Sequence, residues 1–230
     1  RAALLVAALV GSSARPSPRN HRTMAKNGGE VWTAAGKSQD DFMLKDECIL
    51  LDFADNVIGH DNKYNAHKWV VGQPRGMLHR AFSVMLFDKS GRLLLQQRAS
   101  DKITFPDVWT NTCCSHPLYG MAPSEVDQPE ATLKGQPMGV FHAAIRKLDH
   151  ELGIKDLDVN KFAFVTRVHY AAADVVTHGP DAPWGEHEVD HILVCRPPPT
   201  VDDLCDTAEG MVASSSLRGY LRSLSHAFFA

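Results

Sequence analysis

Residues 139–152 constrain the fold more than any other stretch, because they carry the clearest helical period in the chain. Phe141, Ala144, Ile145, Leu148 and Leu152 recur at i, i+3 or i+4 to make one apolar stripe, and Gly153 supplies the C-terminal stop. Such a stripe must be buried against another layer. The segments around it read as strands: 48–52, 56–59, 81–87, 92–97, 162–170 and 184–194. Asp88-Lys89-Ser90-Gly91 is turn chemistry, so 81–87 and 92–97 are predicted to form a β-hairpin. The Gly/Pro-rich segment 119–139 reads as a long surface loop. One strong helix among many strands implies an α/β domain.

The 230 residues suffice for one domain with an N-terminal extension. A formal net charge of -3 gives no polycationic footprint, so nucleic acid is not an expected partner. Five scattered cysteines show no disulfide-scaffold or zinc-ribbon spacing and suit free thiols in a reducing compartment. The first acidic residue is Glu30, and Arg1, Arg15, Arg19, Arg22 and Lys26 lie among serines, prolines and glycines, the composition of an organelle transit peptide over 1–40. Residues 2–10 also fit a secretory core, and Met24 an alternative cytosolic start; that run is too short to span a bilayer.

Chemistry concentrates at 109–117. If this stretch is extended, Cys114 and His116 share a face and look into one cavity. Glu186 and Glu188 share a face in the same way. With His67 and His79 these residues make a set of three imidazoles and two carboxylates suited to Zn²⁺, Mn²⁺ or Mg²⁺. Taken singly, each also has an ordinary structural role, as a loop histidine, a strand-start histidine or a solvated edge face, and spacing alone does not make them converge.

The local sequences Lys63-Tyr64-Asn65-Ala66-His67, Leu78-His79-Arg80-Ala81-Phe82-Ser83, Leu94-Leu95-Gln96-Gln97-Arg98, Thr112-Cys113-Cys114-Ser115-His116-Pro117 and Trp184-Gly185-Glu186-His187-Glu188 together resemble type I isopentenyl-diphosphate isomerases, in the plant and algal branch. The likeness covers 47–194. Residues 146–154 resemble the second half of the Nudix box, with Lys147 and His150 where a Nudix hydrolase carries metal-binding acids. A hydrolase needs several carboxylates there to hold Mg²⁺ on a diphosphate and activate water. Glu151 alone disfavours that activity.

The resemblance implies a Nudix-like fold, with a central mixed sheet sandwiched between helices over 41–196. It also implies conversion of isopentenyl diphosphate to dimethylallyl diphosphate. By the same likeness Glu188, near Tyr170, is the proton donor and Cys114 the acceptor on the opposite face. His67, His79, His116, Glu186 and Glu188 hold one metal ion, and Glu151 holds Mg²⁺ on the substrate diphosphate. Lys63, Arg98 and Lys102 are its diphosphate contacts, with Lys147 a weaker candidate. Trp109 and Trp184 are open to two readings, cation-π stabilisation of a carbocation or core packing. The implied protein is plastidial, with a cytoplasmic alternative, monomeric and free of a membrane span.

After Arg196 the likeness stops. The family's Ser-Pro-Trp-Phe segment, whose tryptophan helps cover the substrate, is not found in 197–230, where Leu217, Tyr220, Leu221, Leu224 and Phe228 instead suggest a short amphipathic helix. An inactive metal- or diphosphate-binding relative is the alternative this motivates.

Overall fold

The computed structural model describes residues 39–69, 76–88, 91–195 and 213–214. All but the last two residues of the predicted transit segment 1–40, and the whole tail helix, lie outside them. In chain order the elements are α1 (Gln39–Lys45), β1 (Glu47–Leu51), β2 (Val57–Asn62), α2 (Lys63–His67), β3 (His79–Leu86), β4 (Leu93–Leu94), β5 (Gln96–Gln97), β6 (Trp109–Thr110), β7 (Cys113–Ser115), α3 (Pro129–Leu133), α4 (Met138–Leu152), β8 (Phe162–Ala173), α5 (Val175–His178), β9 (Gly185–Cys195) and β10 (Ala213–Ser214).

All eight residues of β3 are buried, the run expected of a strand covered on both faces. It pairs in parallel with β9 from His79↔Glu188 to Leu86↔Cys195, and β8 runs antiparallel along the far side of β9. The other edge of β3 is shared by β1, at Leu50↔His79, and β7, from Phe82↔Ser115 to Val84↔Cys113. The order β2-β1-β3-β9-β8, with β7 also on β3, is a mixed sheet, as expected.

The predicted hairpin does not form as a ladder. Both edges of β3 are already paired, so the returning chain meets it only at the bridge Phe87↔Leu93. It then breaks into β4, which pairs with β10, and β5, which pairs with β6.

Phe82, Val84, Leu86, Leu193 and Cys195 pack with Val140, Phe141, Ala144 and Leu148 of α4 in the main core. Burying the α4 stripe is the main apolar gain, roughly 1.5–3 kcal/mol for each large side chain. Gly153, at φ 65°, ends the helix in the left-handed conformation. The segment 119–139 departs from a plain surface loop. It contains α3, opened by Pro129, and buries Glu125, Asp127 and Thr132. Ala81, Ser83 and Met85, alternating with the core residues of β3, line a cavity whose wall also includes Phe42 and Met43 of α1. Among the described residues no helix is long and apolar enough to cross a membrane.

Candidate metal centre and adjoining cavity

α2 brings in the first imidazole. Asn62 caps the helix by accepting from the Asn65 amide at 2.8 Å, and one turn later His67 is buried with Nδ1 donating to the Lys63 carbonyl at 2.7 Å. His79 opens β3 and donates from Nδ1 to the Met77 carbonyl at 2.8 Å. A carbonyl only accepts, so both Nδ1 atoms carry the proton and both Nε2 atoms present lone pairs. His116 follows directly after β7, and β9 contributes Glu186 and Glu188. The solvated-edge alternative for these carboxylates does not hold, because β8 covers the outer side of β9 and both glutamates are buried.

One ligand atom from each of the five lies within 4.8 Å of all the others. Atoms bound to a single ion at about 2.1 Å stand at most about 4.2 Å apart, so small contractions suffice. His67 Nε2 and Glu186 Oε2 are 2.9 Å apart, yet they and His79 Nε2 are buried without a hydrogen-bond partner. Buried polar atoms seldom go unsatisfied unless something else binds them. Three imidazoles and two carboxylates fit a divalent cation of the zinc or manganese type.

Burial pushes Glu188 up, but the hydrogen bond and charge of His79 and the hydroxyl of Tyr170, which donates to Glu188 Oε2, hold it down to about 2. Glu186 is also lowered: burial opposes this and His67 drives it. Burial, then the charges of His67, Lys63 and His79, push His116 well below the ordinary imidazole range, although its Nε2 is 2.8 Å from Glu188 Oε1. Burial and the same carboxylates raise Tyr170 well above its usual value.

The centre opens into a cavity of about 1250 Å³ lined by every residue the sequence singled out, apart from His79 and Trp184. Cys114 faces it from β7, half-buried, with Arg98 Nη1 and Thr110 Oγ1 each 3.8 Å from its sulfur. Burial raises the thiol, and the Arg98 charge opposes that. Lys63, Arg98, Lys102 and Lys147 share the cavity. Lys102 is lowered by burial and then by Lys63, Lys147 and Arg98, with Glu151 the opposing anion. Like charges gathered this closely disfavour their own ionisation, and a nearby anion relieves that.

Glu151 lies apart from the five-residue centre. Lys147 Nζ meets it at 2.8 Å and Gln96 Nε2 at 3.1 Å, and the Cys113 thiol donates to it at 3.5 Å. Burial opposes ionisation, but Lys147 and Gln96 keep Glu151 down to about 2. Arg98 is partly committed to the loop, donating to the Phe105 and Thr104 carbonyls at 2.9 and 2.8 Å. Trp109 lines the cavity and is 42 % exposed, whereas Trp184 stands edge-on to Tyr64 at 5.0 Å, a packing role.

Several contributors carried no local signal. Thr104 Oγ1 donates to Glu186 at 3.0 Å, the buried Asp174 accepts from the Phe105 amide at 2.8 Å, and Ser83 Oγ donates to Asp190 at 2.8 Å. These partners are 69 to 107 positions apart in sequence. Phe105 and Asp107 hold φ of 48° and 58°, a strained backbone for side-chain-bearing residues that the Asp174 and Arg98 contacts retain at the cavity rim.

The chain is similar in sequence to several curated proteins. An isopentenyl-diphosphate delta-isomerase I of Camptotheca acuminata is 46% identical over 169 residues, covering 72% of this chain and 66% of its own length. An isopentenyl-diphosphate delta-isomerase of Aspergillus fumigatus is 51% identical over 170 residues, 69% of this chain and 57% of that one. An isopentenyl-diphosphate delta-isomerase II of Arabidopsis thaliana, named chloroplastic, is 50% identical over 153 residues, 66% of this chain and 49% of that one. The chain thus spans about half to two thirds of the length of these relatives. Residues 77–214 match the NUDIX domain, a span that holds most of the sheet, α4 and four of the five metal-centre side chains, and by that match the chain belongs to the NUDIX domain family.

Proposed function

We propose that the protein is an isomerase that interconverts isopentenyl and dimethylallyl diphosphate. The observation that carries this is the cavity itself, with a buried acid centre on one side, a thiol on another and a cluster of cations at one end. The likeness to the named isomerases supports the same reading.

The reaction moves a double bond by adding a proton to the terminal carbon and removing another from C2. An alkene is a very weak base, so the donor must be a positioned strong acid shielded from water. Glu188 is that donor. Its Oε2 accepts from the Tyr170 hydroxyl, and because His79 and Tyr170 keep it ionised at rest, it must take up a proton before it delivers one to the alkene. Cys114 takes the C2 proton. Arg98, beside its sulfur, favours the thiolate. Trp109 lends an aromatic face to the developing cation, worth roughly 1–2 kcal/mol when desolvated.

His67, His79, His116, Glu186 and Glu188 would hold one divalent ion, Zn²⁺, Mn²⁺ or Mg²⁺, and Glu151 would hold Mg²⁺ on the substrate diphosphate. Bound there, the first ion makes Glu188 a stronger acid and the second neutralises phosphate charge. Lys63, Lys102, Lys147 and Arg98 bind the diphosphate oxygens. Diphosphate hydrolysis is the poorer reading, because Lys147 and His150 occupy α4 where a hydrolase needs carboxylates. We further propose plastid targeting by residues 1–40, a catalytic domain over 41–196 and a monomer.

Turnover of isopentenyl diphosphate in D₂O, with Mg²⁺ and Zn²⁺ or Mn²⁺ present, tests the function. Deuterated dimethylallyl diphosphate is expected from the parent and none from Cys114→Ala or Glu188→Gln. A folded, metal-loaded parent that yields no product, or that releases phosphate, overturns the proposal. Fluorescence of residues 1–40 fused to a reporter in plant cells tests the targeting, with plastid signal expected.

A further inference from the structure

The two strands that carry Glu186, Glu188 and Tyr170 bring two more imidazoles together on the opposite face of the sheet. Strand alternation turns His187 away from Glu186 and Glu188, and His169 away from Tyr170. His187 pairs in register with Ala171 and His169 with Val189, so the two histidines are diagonal neighbours across β8 and β9. Their Nε2 atoms are 3.0 Å apart, and the rings lie at 28° with centroids 5.2 Å apart. His187 is buried and its Nδ1 donates to the Gly76 carbonyl at 2.7 Å. In the neutral ring its Nε2 therefore presents a lone pair toward His169. His67 and His79 are prepared in the same manner, by carbonyls at 2.7 and 2.8 Å.

We propose that His169 and His187 form a second metal site, separate from the five-residue centre, that takes one borderline transition ion, Zn²⁺, Ni²⁺ or Cu²⁺, through the two Nε2 atoms. Imidazole nitrogens select this class over the hard ions Mg²⁺ and Ca²⁺, which need oxygen. Bonds of about 2.0–2.1 Å across the 3.0 Å gap subtend about 90° at the ion, the cis angle of octahedral or square-planar coordination, with water completing the sphere. Without the ion, His169 Nε2–H donates to His187. On binding, His169 carries its proton on Nδ1 instead, so no net proton leaves. Phe53, with centroids 5.4 and 6.3 Å from the two rings, flanks the site. Because β8 is the last strand in the sheet order, the ion would cross-link that edge strand to its neighbour.

The test is equilibrium dialysis of the full chain against micromolar Zn²⁺, with imidazole ¹H–¹⁵N spectra of protein carrying one equivalent of Zn²⁺ during addition of Cu²⁺. The parent is expected to hold two equivalents, and His169→Ala one, with the second weakened roughly tenfold or more. Cu²⁺ is expected to broaden the His169 and His187 rings first. Should His169→Ala melt early, His169→Gln, which keeps the side-chain bulk, replaces it. A parent that stops at one equivalent, a variant that keeps the second, or broadening at other histidines would overturn the site. None of these readouts depends on isomerase activity.

Discussion

Lys102 is surrounded by charges of its own sign, from Lys63, Lys147 and Arg98, with Glu151 the opposing anion. A diphosphate entering there relieves that repulsion. Removing one charge should therefore weaken substrate binding more than chemistry: Lys102→Met is expected to raise KM for isopentenyl diphosphate by about 10- to 100-fold, with kcat changed far less, in steady-state kinetics. His191 behaves differently. Burial and then the Arg80 charge push it down to about 4 from 6.5, with Asp55 opposing, so the ring is neutral in the fold. As pH falls the unfolded chain takes the proton first. The neutral ring's contribution is thus full above pH 6.5 and lost progressively as pH drops to about 4, on the order of 3 kcal/mol. Urea denaturation of His191→Gln should show a flatter acid limb over that window than the parent.

The α4 helix shows what one element owes to its neighbours. Its apolar stripe and Gly153 stop are readable from the chain, but its N-cap is Pro137, which makes no side-chain cap. Asp127, eleven residues before the helix begins, accepts from the Gly139 and Val140 amides at 2.9 Å each. Asp127→Ala strands these buried amides and should cost about 1–3 kcal/mol in thermal or urea unfolding. The close approach also needs a glycine: a Cβ on Gly139 would lie 2.5 Å from the Glu125 carbonyl carbon. Gly139→Ala should destabilise by about 1–3 kcal/mol despite alanine's better helix propensity, and a variant as stable as the parent would show that the 125–127 segment yields freely. The hairpin marks the limit of local reading. Turn residues at 88–91 are compatible with strand return, but whether a ladder forms depends on which distant strands already occupy β3.

For the molecule as a whole, a cation held by the buried His/Glu cluster would tie stability to cation supply. An ion that binds only the folded chain adds RT ln(1 + [L]/Kd), about 2.7 kcal/mol at a hundredfold excess over Kd. Differential scanning calorimetry should show the melting temperature of chelator-stripped protein rising with added Zn²⁺ or Mn²⁺. His67→Ala should lose most of that rise, and an unchanged response would place the ion elsewhere. The sequence by itself determined the α/β class, the α4 stripe and the residue types of the site, because hydrophobic period and motif identity are local properties. It singled out His67, His79, His116, Glu186 and Glu188, which the fold brings within 4.8 Å, but as candidates whose meeting spacing alone left open. Only the tertiary structure decided that they converge, that Asp127 caps α4 and that His169 faces His187. Each of these depends on strand order and register, which bring together residues that in most of these cases lie far apart in the chain, and no local pattern records which edge of β3 each strand will take.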